Sequence, residues 1–170
     1  MKFFYFLILI LLLNITCQPS DSKSSAAVAK ELSNPKYDST ATSEELKTTS
    51  LALIKHINNQ CLQARKQDKT VSLFGQQETP VSLWYSKQGE LLKIDCGVAN
   101  ESGLIQDKFS YYFIQDKLWY ANQIYAQYIL NDGQLQFWLD EQWKKNNISS
   151  RDKKSRAVSL QKQVEVLRAD

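Results

Sequence analysis

The spacing of apolar residues changes character several times along this chain. It opens with an unbroken apolar run of eleven residues, Phe3 to Leu13, behind Met1 and Lys2. From Ser20 to about Thr42 the composition turns to Ser, Thr, Ala and Lys with Pro35 in the middle, and no apolar period is visible, which predicts a linker. After Ser43, a plausible helix N-cap followed by Glu44 and Glu45, apolar or small residues recur at Leu46, Ser50, Leu53, Ile54, Ile57, Cys61 and Ala64. Steps of three and four put these on one stripe of a helix that is expected to end near Gln67.

Beyond this helix the period becomes two. The runs Thr70 to Phe74, Val81 to Ser86, Leu91 to Val98, Phe109 to Ile114, Leu118 to Tyr128 and Leu135 to Leu139 are β-branched or aromatic. Turn-forming segments separate them: 87–90 around Gly89, 100–103 around Gly103, 115–117, and 131–134 around Gly133. Sequential strands with short links predict an antiparallel meander of five or six strands. Finally Ala157, Leu160, Val164 and Leu167 return to the helical period, so a short C-terminal helix is expected. The fold class read from these patterns is α+β, with the N-terminal helix packed on one sheet face.

Strict alternation sorts the strand residues into two faces. One carries Val81, Leu83, Tyr85, Leu92, Ile94, Cys96, Val98, Phe109, Tyr111, Phe113, Leu118, Tyr120, Leu135, Phe137 and Leu139, and is the face the N-terminal helix is expected to cover. The other carries Trp84, Tyr112, Trp119 and Trp138 among Ser82, Lys93, Asp95, Ser110 and Gln136. An aromatic face of this kind is either a binding surface or the seat of the C-terminal helix.

The leader adds an address. Eleven apolar residues behind one positive charge fit a signal-peptide core and fall short of the ~20 that span a bilayer as a helix. The run closes on Leu13-Asn14-Ile15-Thr16-Cys17, and there the chain resembles the signal of bacterial lipoproteins. Asn14 and Thr16 depart from that family's preferred Leu three before the Cys and small residue just before it. The resemblance implies cleavage after residue 16 and acylation of Cys17, which would anchor the chain in membrane lipid of the cell envelope. Residues 1–16 are then leader, 17–42 a tether, and 43–170 one globular domain. The order of helix and meander also looks like the cystatin-like small binding folds, an analogy of element order alone.

Composition narrows the chemistry. Loss of residues 1–16 removes Lys2 and leaves 20 basic against 18 acidic residues, a balance that selects no particular partner. Lys144, Lys145, Arg151, Lys153, Lys154 and Arg156 form one basic segment with no interleaved aromatics, so it reads as a solvated connecting loop and no nucleic-acid partner is expected. The single histidine, His56, lies off the helical stripe, and no metal-ligand spacing, phosphate loop or nucleophile motif is present, so no metal or cofactor is expected. Asp140 and Glu141 are adjacent and point apart. Asn100-Glu101-Ser102 and Asn147-Ile148-Ser149 fit the glycosylation acceptor pattern, which has meaning only in a eukaryotic source. With Cys17 acylated, Cys61 and Cys96 either bridge helix to sheet, stabilising the fold by about 3–4 kcal/mol, or stay as two buried thiols.

The function expected on these grounds is a non-enzymatic envelope lipoprotein that binds another protein or an apolar ligand. The alternatives are an envelope hydrolase with an acidic site and a purely structural tether.

Overall fold

A computed structural model of the protein describes residues 35–72, 78–100 and 102–169. The leader, Cys17 and most of the proposed tether lie outside the described residues.

Two helices flank a seven-stranded sheet. Helix α1 spans Ser43–Cys61 and α2 spans Ser150–Arg168. Between them run β1 (Arg65–Ser72), β2 (Glu78–Tyr85), β3 (Leu91–Ala99), β4 (Ile105–Ile114), β5 (Lys117–Gln123), β6 (Ala126–Asn131) and β7 (Gln134–Leu139). Every strand pairs antiparallel with its neighbours in sequence, so the sheet is a simple meander in the order β1 to β7.

Local chemistry sets the ends of these elements. The N-cap of α1 is Thr42, one residue before the expected Ser43. Its hydroxyl accepts the Glu45 N–H at 3.2 Å while the Glu45 carboxylate accepts the Thr42 N–H at 2.7 Å, a reciprocal capping box. The helix stops at Cys61, earlier than expected, because Leu62 to Ala64 turn and the charged run from Arg65 pairs as an edge strand. Two hairpins tighten through left-handed residues, at Gln115 and Asp116 and at Asp132 and Gly133. The expected single strand Leu118 to Tyr128 is two strands, β5 and β6, which turn at Ile124 and Tyr125.

Each sheet face has its own core, and the assignment of helices to faces is the reverse of that expected from order. Helix α2, not α1, covers the face built from Val81, Leu83, Ile94, Cys96, Tyr111, Phe113 and Leu118, burying its stripe Ala157, Leu160, Val164 and Leu167 there. Tyr111 donates to Gln163 at 3.0 Å and Gln123 donates to both, which ties α2 to the sheet. Helix α1 covers the other face through Leu46 and Ile57, against Leu92, Tyr112, Trp119, Tyr120, Ile129, Phe137 and Leu139. Tyr37 packs edge-on to Phe137 and hydrogen-bonds Ser50, so residues before α1 already belong to this layer.

Single-residue bulges explain the remaining errors of facing. Trp84 pairs with Lys93 but Tyr85 with Leu91, which leaves Leu92 as an extra residue. Trp119 is extra between the pairs Tyr112–Tyr120 and Phe113–Leu118, and Gln136 between Ile129–Phe137 and Leu130–Leu135. Each bulge shifts the pleat by one and inverts the facing of the strand residues beyond it. Leu92, Tyr120, Phe137 and Leu139 therefore lie under α1, and Trp138 packs on the α2 side.

Candidate functional site

The four aromatic residues expected to share a surface do not form one. Trp119 is fully buried and Tyr112 nearly so, both under α1 with Trp84 beside them, whereas Trp138 belongs to the opposite face. There Trp138 packs against Tyr128 with the ring planes tilted by 57°, and the Arg156 guanidinium lies 4.7 Å from the Trp138 ring centre. Trp119 and Tyr112 are core beneath α1, and Trp84 and Trp138 are partly buried against the α1 and α2 layers respectively.

What α1 leaves uncovered is polar. Register places Asp68, Ser82, Asp95, Ser110 and Asn122 in one cross-strand row on the α1 face, next to the row Lys66, Trp84, Lys93, Tyr112 and Tyr120. Asp95 is the centre. It accepts from Ser110 at 2.7 Å and pairs with Lys93 at 3.0 Å and Lys108 at 3.3 Å. Lys93, itself buried, has its ammonium 5.1 Å from the Trp84 ring centre and 5.3 Å from that of Tyr112. Burial alone would lower the Lys93 pKa, but Tyr112 and the hydrogen bond and charge of Asp95 outweigh it and leave it raised. Asp68 accepts from Ser82 and pairs with Lys66 at 2.8 Å, and the Lys66 bond holds its carboxyl below the usual range.

Of these, Ser82, Asp95, Lys108 and Asn122 line an open groove of about 620 Å³ whose other walls are Pro80, Gly97, Ile105, Gln106, Asp107 and Ile124. Gly97 leaves room there: a Cβ would lie 3.0 Å from the Ile105 and Pro80 side chains, which would have to shift to admit it. In a meander the β3–β4 and β5–β6 turns fall at the same sheet end, and each leaves apolar side chains in solvent: Leu104 is 63% exposed, Ile105 47% and Tyr125 76%. The result is a hydrogen-bonding floor with compensated charges beside an apolar rim. It can hold a polar ligand or a partner's surface.

Cys61 and Cys96 are both free thiols. Of the two readings left open above, the bridge is not formed: Cys61 packs with the α1 layer and Cys96 with the α2 layer, on opposite sides of the sheet. Burial pushes each thiol up to about 11; Lys93 opposes this at Cys61. His56 is half-buried on α1, and its Nε2, like the Trp119 indole nitrogen, is buried without a hydrogen-bond partner among the described residues. Asp140 shapes a turn, accepting from the Gln142 and Lys144 N–H groups. The basic segment is not a loop throughout, because Ser149 caps α2 by accepting the Asp152 N–H, and Lys153 and Arg156 are used inward on Gln136 and Trp138. Among the described residues no group of three or more His, Cys, Asp or Glu side chains could hold a metal, and no helix is long and apolar enough to cross a membrane.

Alternation alone had put Ser82, Lys93, Asp95 and Ser110 on one face, but it gave no sign that this was the open part of it. Comparison with protein-family models, with curated proteins and with solved structures found no match to this chain.

Proposed function

We propose that this chain is an exported, non-enzymatic binding module of a cell envelope, anchored in membrane lipid through acylated Cys17, with the Asp95-centred groove as its ligand surface. The leader and Cys17 support the address. One observation carries the choice of surface: α2 covers one face while α1 seats on the aromatic residues of the other, leaving Ser82, Asp95 and Asn122 as a polar floor walled by Ile105, with exposed Leu104 and Tyr125 in the turns at the same sheet end. A ligand seated there is polar at its centre, in contrast to the apolar ligand suggested by aromatic content alone.

The test places a photo-crosslinking side chain at Asn122, and separately at Val158 on the outer side of α2, in the full-length chain in its own membranes. A defined adduct at 122 and none at 158 is the expected result. Equal labelling at both positions, or none at either, contradicts the reading. Intact mass of the mature chain gives the address independently, with Cys17 plus acyl chains expected at its start and a retained Met1 excluding it.

A further inference from the structure

The two edges of the sheet are finished differently. On β7 the outer edge is closed: Leu139 bridges to Lys145, the Asn146 N–H donates to the Trp138 carbonyl at 2.9 Å, and the Lys153 ammonium donates to the Gln136 carbonyl at 2.8 Å. On β1, among the described residues, the backbone groups of Arg65 to Val71 bond only to β2. An antiparallel edge strand projects the N–H and C=O of about half its residues outward, and a row of such groups pairs readily with another extended chain.

Charge decides which chain fits. Arg65, Lys66 and Lys69 outnumber Asp68 on β1; Asp68 is already engaged by Lys66 and Ser82, while Lys69 donates only to an uncharged group, the Ala169 carbonyl, and keeps its charge uncompensated. A second copy paired symmetrically about Gln67 would set Arg65 against Lys69 on both sides, and like charges directly opposite are destabilising; the Lys66–Asp68 oppositions of the same register add little, because Asp68 already pairs with Lys66 of its own strand. A strand carrying carboxylates opposite Arg65 and Lys69 meets no such cost. We propose that β1 is a docking edge that takes up an extended acidic segment of another protein, adding one strand to the sheet.

The proposal concerns the edge and not the groove, so it stands apart from the ligand surface above. Its test is hydrogen exchange read by mass spectrometry on the full-length chain in detergent micelles. The probes are two end-blocked nonapeptides, one alternating Glu and Val and one alternating Lys and Val. The Glu peptide is expected to slow exchange across 65–71 at least tenfold at saturation, and the Lys peptide to leave it unchanged. The double variant R65Q/K69Q is expected to weaken the Glu peptide at least fivefold. Since Arg65 also lies over the Tyr85 ring and the Lys69 ammonium donates to the Ala169 carbonyl, the single variants R65Q and K69Q are each measured and each expected to weaken it about twofold, while K66Q, on the other side of the strand, is the control and is expected to change it less than twofold. Equal effects of both peptides, slowing confined to other segments, or no slowing overturns the proposal. So does concentration-dependent protection of 65–71 without peptide, which would mean that a second copy fills the edge.

Discussion

If the sheet separates two cores, damage on one side should not be felt on the other. Leu160 on α2 is fully buried in the layer with Ile94 and Phe113, and Ile57 on α1 is fully buried in the layer with Tyr112 and Trp119. Leu160→Ala deletes buried methyl groups from a packed site and is expected to cost about 2–4 kcal/mol, while Ile57→Val removes one methyl group and costs about 0.5–1.5 kcal/mol. Their sum stays within a domain stability of roughly 5–15 kcal/mol, so the double variant can still be measured. Because the two side chains lie on opposite sides of the sheet, the double-variant cost should equal the sum within about 0.5 kcal/mol. Val158→Ala, 44% exposed on the outer side of α2, is the control and should change stability by no more than about 0.5 kcal/mol. Urea unfolding of all four variants with a common slope is the assay. A coupling above about 1 kcal/mol, or a Leu160→Ala cost no larger than the Val158 control, would refute the two-core arrangement.

The Asp95 cluster makes an asymmetric prediction: Asp95→Ala strands a buried ammonium and is expected to cost about 2–4 kcal/mol, whereas Lys93→Met leaves Asp95 its bonds to Lys108 and Ser110 and stays within about 1 kcal/mol of wild type. Thermal unfolding of the pair decides it, and equal costs would argue against the cluster. On the acid side, Glu45, Asp68 and Asp132 are held below their ordinary values of 4.5, 3.8 and 3.8 by bonds to Thr42, Lys66 and Lys117 respectively. The unfolded chain then takes up protons first, so the stability these groups add is present above about pH 4.5 and is lost as pH falls through their depressed folded values. A urea midpoint that rises on acidification would contradict this sign. For the thiols, raised by burial to about 11, a thiol-specific reagent at pH 8 should leave Cys96 unmodified until the chain unfolds and modify Cys61 slowly; rapid modification of Cys96 would place it outside the core.

Much of the fold was legible because two periods and the turn residues announce it. The helix stripe at Leu46 to Cys61, the meander and the stripe at Ala157 to Leu167 all stand where the spacing puts them. Two kinds of feature were not legible. Strand β1 is an edge whose sequence, Arg65 to Ser72, is almost entirely polar, so it lacks the apolar run by which strands are recognised. The β5–β6 turn at Ile124 and Tyr125 contains no Gly, Pro, Asn or Asp, so nothing marks it. Bulges at Leu92, Trp119 and Gln136 have no residue signature either, and each inverted the apparent facing of the residues after it. That inversion moved Trp138 away from the other aromatics; that α2, not α1, covers the Val81 face is a matter of helix docking, which strand periodicity does not encode. The polar residues of the groove were visible as alternating neighbours of the aromatic ones. Their exposure depended on where α1 stops, which is a tertiary fact.

Hydroxyl-radical footprinting of the full-length chain, read residue by residue in a mass spectrometer, tests the half-covered face most directly. The account predicts heavy modification of Tyr125, Leu104 and Ile105 at the open end and strong protection of Trp119 and Tyr112 beneath α1. Modification of Trp119 at a level comparable to Tyr125, or protection of Ile105 in the isolated chain, would contradict it.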